Sequence, residues 1–339
     1  MLGAVLGLFS RDLALDLGTS TTRIHSRGCG VVRREPTVAA VRTDRRGDRS
    51  LFAIGEAARS MLGRTPADLI AVRPLRDGGV HDRDVAEAFL VHLVRQLHGR
   101  SRFVAPRLVV ATPHHMRPGD LNALRASCAA VGARELRTIA RPVAAALGAG
   151  LALRADDLHL IVDMGGGSAE VAVLSGRHVL RSRRVPGGDA LDRAITSFLA
   201  EHHALEVSDE VAEALKRAAL GEAMPSRALR VRGRCTQTGL PALRRVASTE
   251  VEAVARPFVL AIARATASLV NELSAAQAAE VRGTGALLTG GACQLRGLDD
   301  AICDAAGLLV FVADHPEDAV IRGAGLALEA DDREALQPC

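Results

Sequence analysis

The chain has 339 residues, 48% hydrophobic and 24% charged, with a formal net charge of +4. That balance is too apolar for a disordered chain, and the length suits about two domains with their own cores. Six cysteines without CxxC spacing exclude a disulfide scaffold and argue against zinc or redox use. The dispersed positive charge and 2% aromatics offer no stacking platform, so nucleic acid is not expected as a partner.

Of the 43 basic residues, 42 are arginine, and the single lysine is Lys216. The bias reads as composition, but the place of that lysine is worth following. No apolar run reaches the ~20 residues that span a bilayer. At the N-terminus, MLGAVLGLF sets Leu2, Val5, Leu6 and Phe9 on one helical face. Two readings are open on composition alone: a short helix lying in a membrane interface, or a frayed or core-packed end.

An internal repeat follows. Leu13 to Ile24 (LALDLGTSTTRI) and Leu160 to Val173 (LIVDMGGGSAEVAV) each run from an apolar strand through an Asp and a Gly-rich turn into a second strand. Third strands are expected at Gly30–Val32 and His178–Arg184. The later parts also correspond. A strand at Leu108–Pro113 precedes a helix at Asp120–Val131 and a strand at Glu135–Ile139. A strand at Ala286–Gly291 precedes a helix at Leu295–Ala306 and a strand at Leu308–Val312. Helices Val80–Leu97 and Thr249–Leu273 read as long connectors. Residues 34–74 read as a small insert in the first half, and residues 187–255 as a longer, mostly helical insert in the second. Two such α/β halves facing one another would form a cleft lined by the paired turns.

The chemistry sits in four places. Asp16-Leu17-Gly18-Thr19-Ser20-Thr21 combines a tight reversal, backbone amides and hydroxyls suited to phosphate oxygens, with an Asp able to hold Mg²⁺ through water. Asp163-Met164-Gly165-Gly166-Gly167-Ser168 repeats the parts. One such turn means little; two at equivalent places point to a polyphosphate clamp, and no Walker A string is present. Thr289-Gly290-Gly291-Ala292 ends a strand with residues small enough for a flat ligand to approach. Glu213-Ala214-Leu215-Lys216 places an acid and the lone lysine on one helical face, as a solvent ion pair or a ligand contact. His114-His115 and His202-His203 have no metal-site context.

With these strings in place the chain resembles the MreB/Mbl group of bacterial actin homologues, in the actin, Hsp70 and sugar-kinase superfamily. The likeness runs through RDLALDLGTSTT, REPTVAAVRTD, MLGRTPADLIAVRPLRDG, GARELRTIARPVAAALGAGL, LIVDMGGGSAEVAVLSG, EVRGTGALLTGGACQLRGLD and AVIRGAGLALE. It implies two RNase H-like α/β domains of the actin-like ATPase type flanking a nucleotide cleft. Residues 1–10 would be a membrane segment and 11–147 domain I, with insert 34–74. Domain II would span 148–315, with insert 187–255, and 316–336 would return to domain I. The resemblance also implies ATP and Mg²⁺ as cofactors. Asp16, Gly18, Thr19, Ser20 and Thr21 would meet phosphates, as would Asp163, Gly165, Gly166, Gly167 and Ser168. Asp16 and Asp163 would face Mg²⁺ through water. The segment Glu213, Ala214, Leu215 and Lys216 would contact the nucleoside, and Gly290, Gly291, Ala292 and Cys293 would cover the adenosine. Further expectations are self-polymerisation, a peripheral cytoplasmic place on the inner membrane leaflet through Leu2, Val5, Leu6 and Phe9, and partners in cell-wall elongation or sporulation of the RodZ/MreC kind.

The departures are instructive. Where the family reads Glu-Glu-Pro, this chain has Ala140-Arg141-Pro142. The Glu orients the attacking water, whereas a guanidinium offers only donors, and losing such a group costs ~10²–10⁴ in rate. Ser168 keeps a hydroxyl, Ala169 replaces a Thr, Thr21 an Asn and Ala292 a Gly. The expectation is a filament protein that binds ATP with slow or lost hydrolysis, Arg141 reaching toward the γ-phosphate. A regulatory scaffold that copolymerises with or caps an active MreB paralogue is the alternative, and a phosphotransfer enzyme or chaperone of the superfamily the third reading.

Overall fold

The computed structural model describes residues 12–62, 68–98, 105–221, 228–331 and 337–338. The expected membrane segment with Leu2, Val5, Leu6 and Phe9 lies outside the described residues. The chain divides into two compact units, residues 1–157, 174–180 and 313–339, and residues 158–173 and 181–312.

In chain order the first stretch contains β1 (Leu13–Leu17), β2 (Thr21–Ser26), β3 (Gly30–Pro36), β4 (Ala39–Thr43), β5 (Arg49–Ile54) and α1 (Gly55–Arg59). Next come β6 (Leu69–Val72), β7 (Leu75–Arg76), β8 (Gly79–Val80), α2 (Arg83–His98), β9 (Arg107–Thr112), α3 (Pro118–Val131), β10 (Glu135–Ala140) and α4 (Arg141–Gly148). The repeat then starts again with β11 (Leu158–Met164), β12 (Ser168–Ser175), β13 (His178–Pro186), α5 (Gly188–His203), β14 (Leu205–Glu206) and α6 (Asp209–Leu220). It continues through β15 (Ala228–Cys235), β16 (Pro241–Ala247), α7 (Ser248–Asn271), α8 (Ala275–Thr284), β17 (Ala286–Thr289), α9 (Leu298–Ala306) and β18 (Val310–Val312), and the described chain closes with α10 (Ala319–Ala330) and β19 (Gln337–Pro338).

The two main sheets share one strand order. The first runs β19-β10-β9-β1-β2-β3 and the second β13-β12-β11-β17-β18. In both, a hairpin strand lies beside a first strand that continues in parallel through two more, so the duplication read in the sequence is a duplication of topology. β1 and β9 pair in parallel, and their apolar runs are buried on both faces, as a central parallel strand requires. The edge strand β13 is instead arginine-rich and mostly exposed, a composition that discourages pairing with another chain.

Each unit has its own core. Leu13, Leu15, Ile24, Phe89, Leu93, Leu108 and Val110 form one. Leu160, Val162, Met164, Ile262, Leu269, Leu288 and Ile302 form the other. α7 is long and apolar enough to cross a bilayer by composition, but its Val259, Ile262, Ala263, Leu269 and Val270 pack into the second core. The insert expected to be mostly helical contains α5 and α6 and also a three-stranded sheet, β14-β15-β16. There, alternate residues such as Val231, Cys235 and Val246 turn inward against a small apolar cluster while arginines face out.

α4 and α10 cross with their backbones in contact. A Cβ on Gly148 would lie 1.8 Å from the Ala319 carbonyl oxygen, and one on Gly323 would lie 1.8 Å from that of Ala144. The small-residue runs RPVAAALG and AVIRGAG are what permit this crossing, and it fixes the position of α4 and of Arg141 at its start.

Candidate functional site: two glycine-rich turns and a buried acid

In the first unit β1 and β10 flank β9. Register pairs Asp16 with Ala111 and Ala111 with Ile139, so the carboxyl end of β1 lies level with the residues leading into α4. Ligand sites in parallel α/β sheets gather at such carboxyl ends. Asp16 is 2% exposed, and Arg141 Nη1 donates to its Oδ1 at 2.5 Å. Arg23 Nη1 stands 3.8 Å from its Oδ2. Arg23 also donates to Asp318 Oδ1 at 3.1 Å, and Arg34 to Asp318 Oδ2 at 2.5 Å. Burial pushes the Asp318 carboxyl up, but the hydrogen bonds and charge of Arg34 and Arg23 outweigh it and hold it below the ordinary range.

The turn after Asp16 is held from outside its own hairpin. Thr37 Oγ1 donates to the Gly18 carbonyl at 2.6 Å, and its backbone N–H donates to that of Ser20 at 3.0 Å. The Thr37 hydroxyl is thereby committed as a donor, so Thr22 Oγ1, 2.9 Å away, donates to it. Thr19 is buried beside these groups, while Gly18, Ser20 and Thr21 keep part of their surface. Sequence reasoning missed Thr37; its only local signal is its place after Glu35-Pro36 in the REPTVAAV string.

In the second unit Asp163 is 1% exposed and accepts from Thr289 Oγ1 at 3.2 Å. Gly165 N–H donates to the Ser168 carbonyl at 3.1 Å, closing the turn. The start of α5 packs on that turn, with Gly188 N–H donating to Gly165 O at 3.1 Å and Asp189 N–H to Gly166 O at 2.7 Å. Gly290 sits at φ +86°, with space for a Cβ only 2.3 Å from the Met164 carbonyl oxygen, so glycine is required on both counts. Ala292 N–H donates to that same oxygen at 3.1 Å. Asp163, Gly165, Gly166, Ser168, Gly290 and Ala292 therefore belong to one cluster.

Lys216 joins that cluster, but not through Glu213. Its Nζ donates to the Gly188 carbonyl at 3.2 Å and to Asp192 Oδ2 at 2.8 Å. Glu213 instead accepts from Arg217 at 2.7 Å. The expected i, i+3 ion pair does not form; the Lys216 ammonium is taken up by two acceptors on α5. Leu215 and Cys293 are buried in apolar clusters, and the Cys293 N–H donates to the Gly290 carbonyl at 3.3 Å. Asp192 was not anticipated, although it stands on the helix face that buries Leu191, Ile195 and Leu199, where an acid is out of pattern. Burial raises its carboxyl to about 6 against the opposing pull of Lys216.

These residues suit a polyphosphate better than they suit its metal. Mg²⁺ held through water needs acceptor oxygens. Asp16 Oδ1 is taken by a guanidinium at 2.5 Å, with a second guanidinium at Oδ2. Among the described residues no group of three or more His, Cys, Asp or Glu side chains is placed to hold a metal ion. The environment of Asp16 does not fit a dication. Arg141, expected to reach toward a γ-phosphate, donates to that acid, whose strand end stands level with the start of α4 across β9.

Comparison with known proteins agrees with the geometry. The family model described as MreB/Mbl protein matches residues 10–335. The cell shape-determining protein MreB of Escherichia coli is 38% identical over 98% of this chain and 97% of its own length. The cell shape-determining protein Mbl of Bacillus subtilis is 32% identical over 96% and 98%. Among solved structures, MreB5 of Spiroplasma citri bound to ADP is 26% identical with a TM-score of 0.87, covering 95% of this chain and 97% of that one. A MamK double helical filament shares the fold at 21% identity and a TM-score of 0.75, over 94% of this chain and 99% of that one. With its duplicated actin-like topology, its paired turns and a match over nearly its whole length, the chain belongs to the MreB/Mbl family.

Proposed function

We propose that this chain is a membrane-associated actin-like cytoskeletal protein. It binds ATP, forms filaments, and organises peptidoglycan synthesis and cell or spore shape, with hydrolysis slow or lost. The shape role is supported by relatives named cell shape-determining proteins. Nucleotide binding is supported by MreB5 of Spiroplasma citri, whose structures are bound to ADP and to AMPPNP.

The observation that carries the hydrolysis claim is Arg141 on Asp16. A group that orients water for attack must accept a hydrogen bond, and Arg141 is a donor already committed to a carboxylate. The same observation favours a second reading, a nucleotide-bound scaffold that copolymerises with or caps an active paralogue. Isothermal titration with ATP, phosphate release, and electron microscopy on lipid test the proposal together. Binding and lipid-borne filaments with phosphate release far below that of an active family member support it. Release at an ordinary rate refutes the loss of hydrolysis, and bare lipid refutes the filament. Filaments that form only with the paralogue favour the second reading.

A further inference from the structure

Asp16, Arg23, Arg34, Arg141 and Asp318 form one connected network within the first unit. Arg141 joins Asp16 at 2.5 Å, Arg23 stands between Asp16 and Asp318, and Arg34 closes on Asp318. Arg141 and Arg23 both face Asp16, while Arg34 and Arg23 face Asp318 with Glu317 adding negative charge beside Arg34, so the excess of positive charge lies at Asp16. Its Arg141 end is fixed. Arg141 is the first residue of α4, its side chain is 16% exposed, and α4 is pinned by its crossing with α10. A cation in the first turn of a helix is disfavoured by the macrodipole. Its persistence there is explained by the buried carboxylate it neutralises.

We propose that Arg141 stands in for the divalent cation, a permanent positive charge on Asp16, so that this chain binds nucleoside polyphosphate independently of Mg²⁺. The inference rests on the nucleotide reading above. A dication brought to Asp16 would meet an occupied acceptor and the repulsion of two guanidiniums, while for a polyphosphate those same two guanidiniums outnumber the one carboxylate at the entry to the Gly18–Ser20 turn.

The test uses the full chain and a fluorescent ATP analogue, since the protein has no Trp or Tyr of its own. Titrations are made with millimolar MgCl₂ and with EDTA. The expected result is a dissociation constant that changes less than about twofold between the two conditions. Arg141→Glu should become Mg²⁺-dependent, binding at least ~10-fold more tightly with the metal than without it. Arg141→Lys, which keeps the charge, should stay within about twofold like the wild type. A wild-type protein that loses ~10-fold or more in EDTA overturns the proposal and leaves the nucleotide reading standing. Wild-type independence with no gained dependence in a folded Arg141→Glu overturns it too, because another group would then be responsible. No binding in either buffer refutes the nucleotide reading itself. The wild-type and Arg141→Lys arms decide the matter if Arg141→Glu does not fold.

Discussion

Asp192 should make the second unit less stable as pH rises. Its carboxylate is 8% exposed; Oδ2 accepts from Lys216, and among the described residues Oδ1 is buried without a hydrogen-bond partner. Burial dominates, and the group titrates at about 6 against a reference of 3.8. A pKa raised by folding means that the native state binds the proton more tightly. Stability is therefore highest below the unfolded value and is lost as pH climbs from about 4 through 6. The full difference is worth about 3 kcal/mol, of which about 2 kcal/mol falls between pH 4 and pH 7.5.

Asp192→Asn removes this titration while keeping the shape. Urea unfolding followed by circular dichroism at the two pH values isolates its contribution, because the remaining groups are common to both proteins. The variant should gain on the wild type by about 2 kcal/mol from the lower to the higher pH, whatever the offset from losing the Lys216 ion pair. A difference that does not move with pH, or moves the other way, would refute the reasoning.

Three more outcomes follow from the same structure. Arg141→Ala leaves buried Asp16 with Arg23 as its remaining ion-pair partner among the described residues and should cost about 2–4 kcal/mol in thermal or urea melts. Adding Asp16→Asn should recover most of that, which a double-mutant cycle reads directly. Asp318→Asn weakens the charged hydrogen bonds from Arg23 and Arg34 and should cost about 2 kcal/mol at neutral pH. Because folding lowers this acid's pKa, the cost should shrink as pH falls below the ordinary carboxylate value, checked by melts at pH 7 and pH 3. Gly323→Leu must force α10 away from α4 and should cost at least about 3 kcal/mol or abolish soluble protein, measured by melting and by yield.

What could be read from the sequence was whatever repeats or alternates locally. The strand, Asp and Gly-rich turn occur twice, and β1 with β2 and β11 with β12 took the expected form because each hairpin is specified by a dozen consecutive residues. The connections that decide the site are not local. Arg141 meets Asp16 across 125 positions, Lys216 meets Asp192 across 24 on another helix, and Thr37 reaches back to Gly18 from the end of the next hairpin. No periodicity marks such pairs. The β15–β16 hairpin was hidden differently. Its alternation is present, but arginine fills three of the four outward positions of β15, and the inward residues are too few to stand out against an apolar background.

The composition explains why Arg141 and Lys216 stand apart. Where 42 of 43 basic residues are arginine, an arginine at most surface positions says little. At the start of α4 it says a great deal, because its planar fork supplies fixed donors to a buried acid where a water-orienting side chain would have to accept. Lys216 is the reverse case. Its ammonium serves a backbone carbonyl and a carboxylate from one atom, in a gap where Nζ lies 3.2 Å from the space a Cβ on Gly188 would fill. A guanidinium spreads its donors over a plane and needs more room than that gap provides.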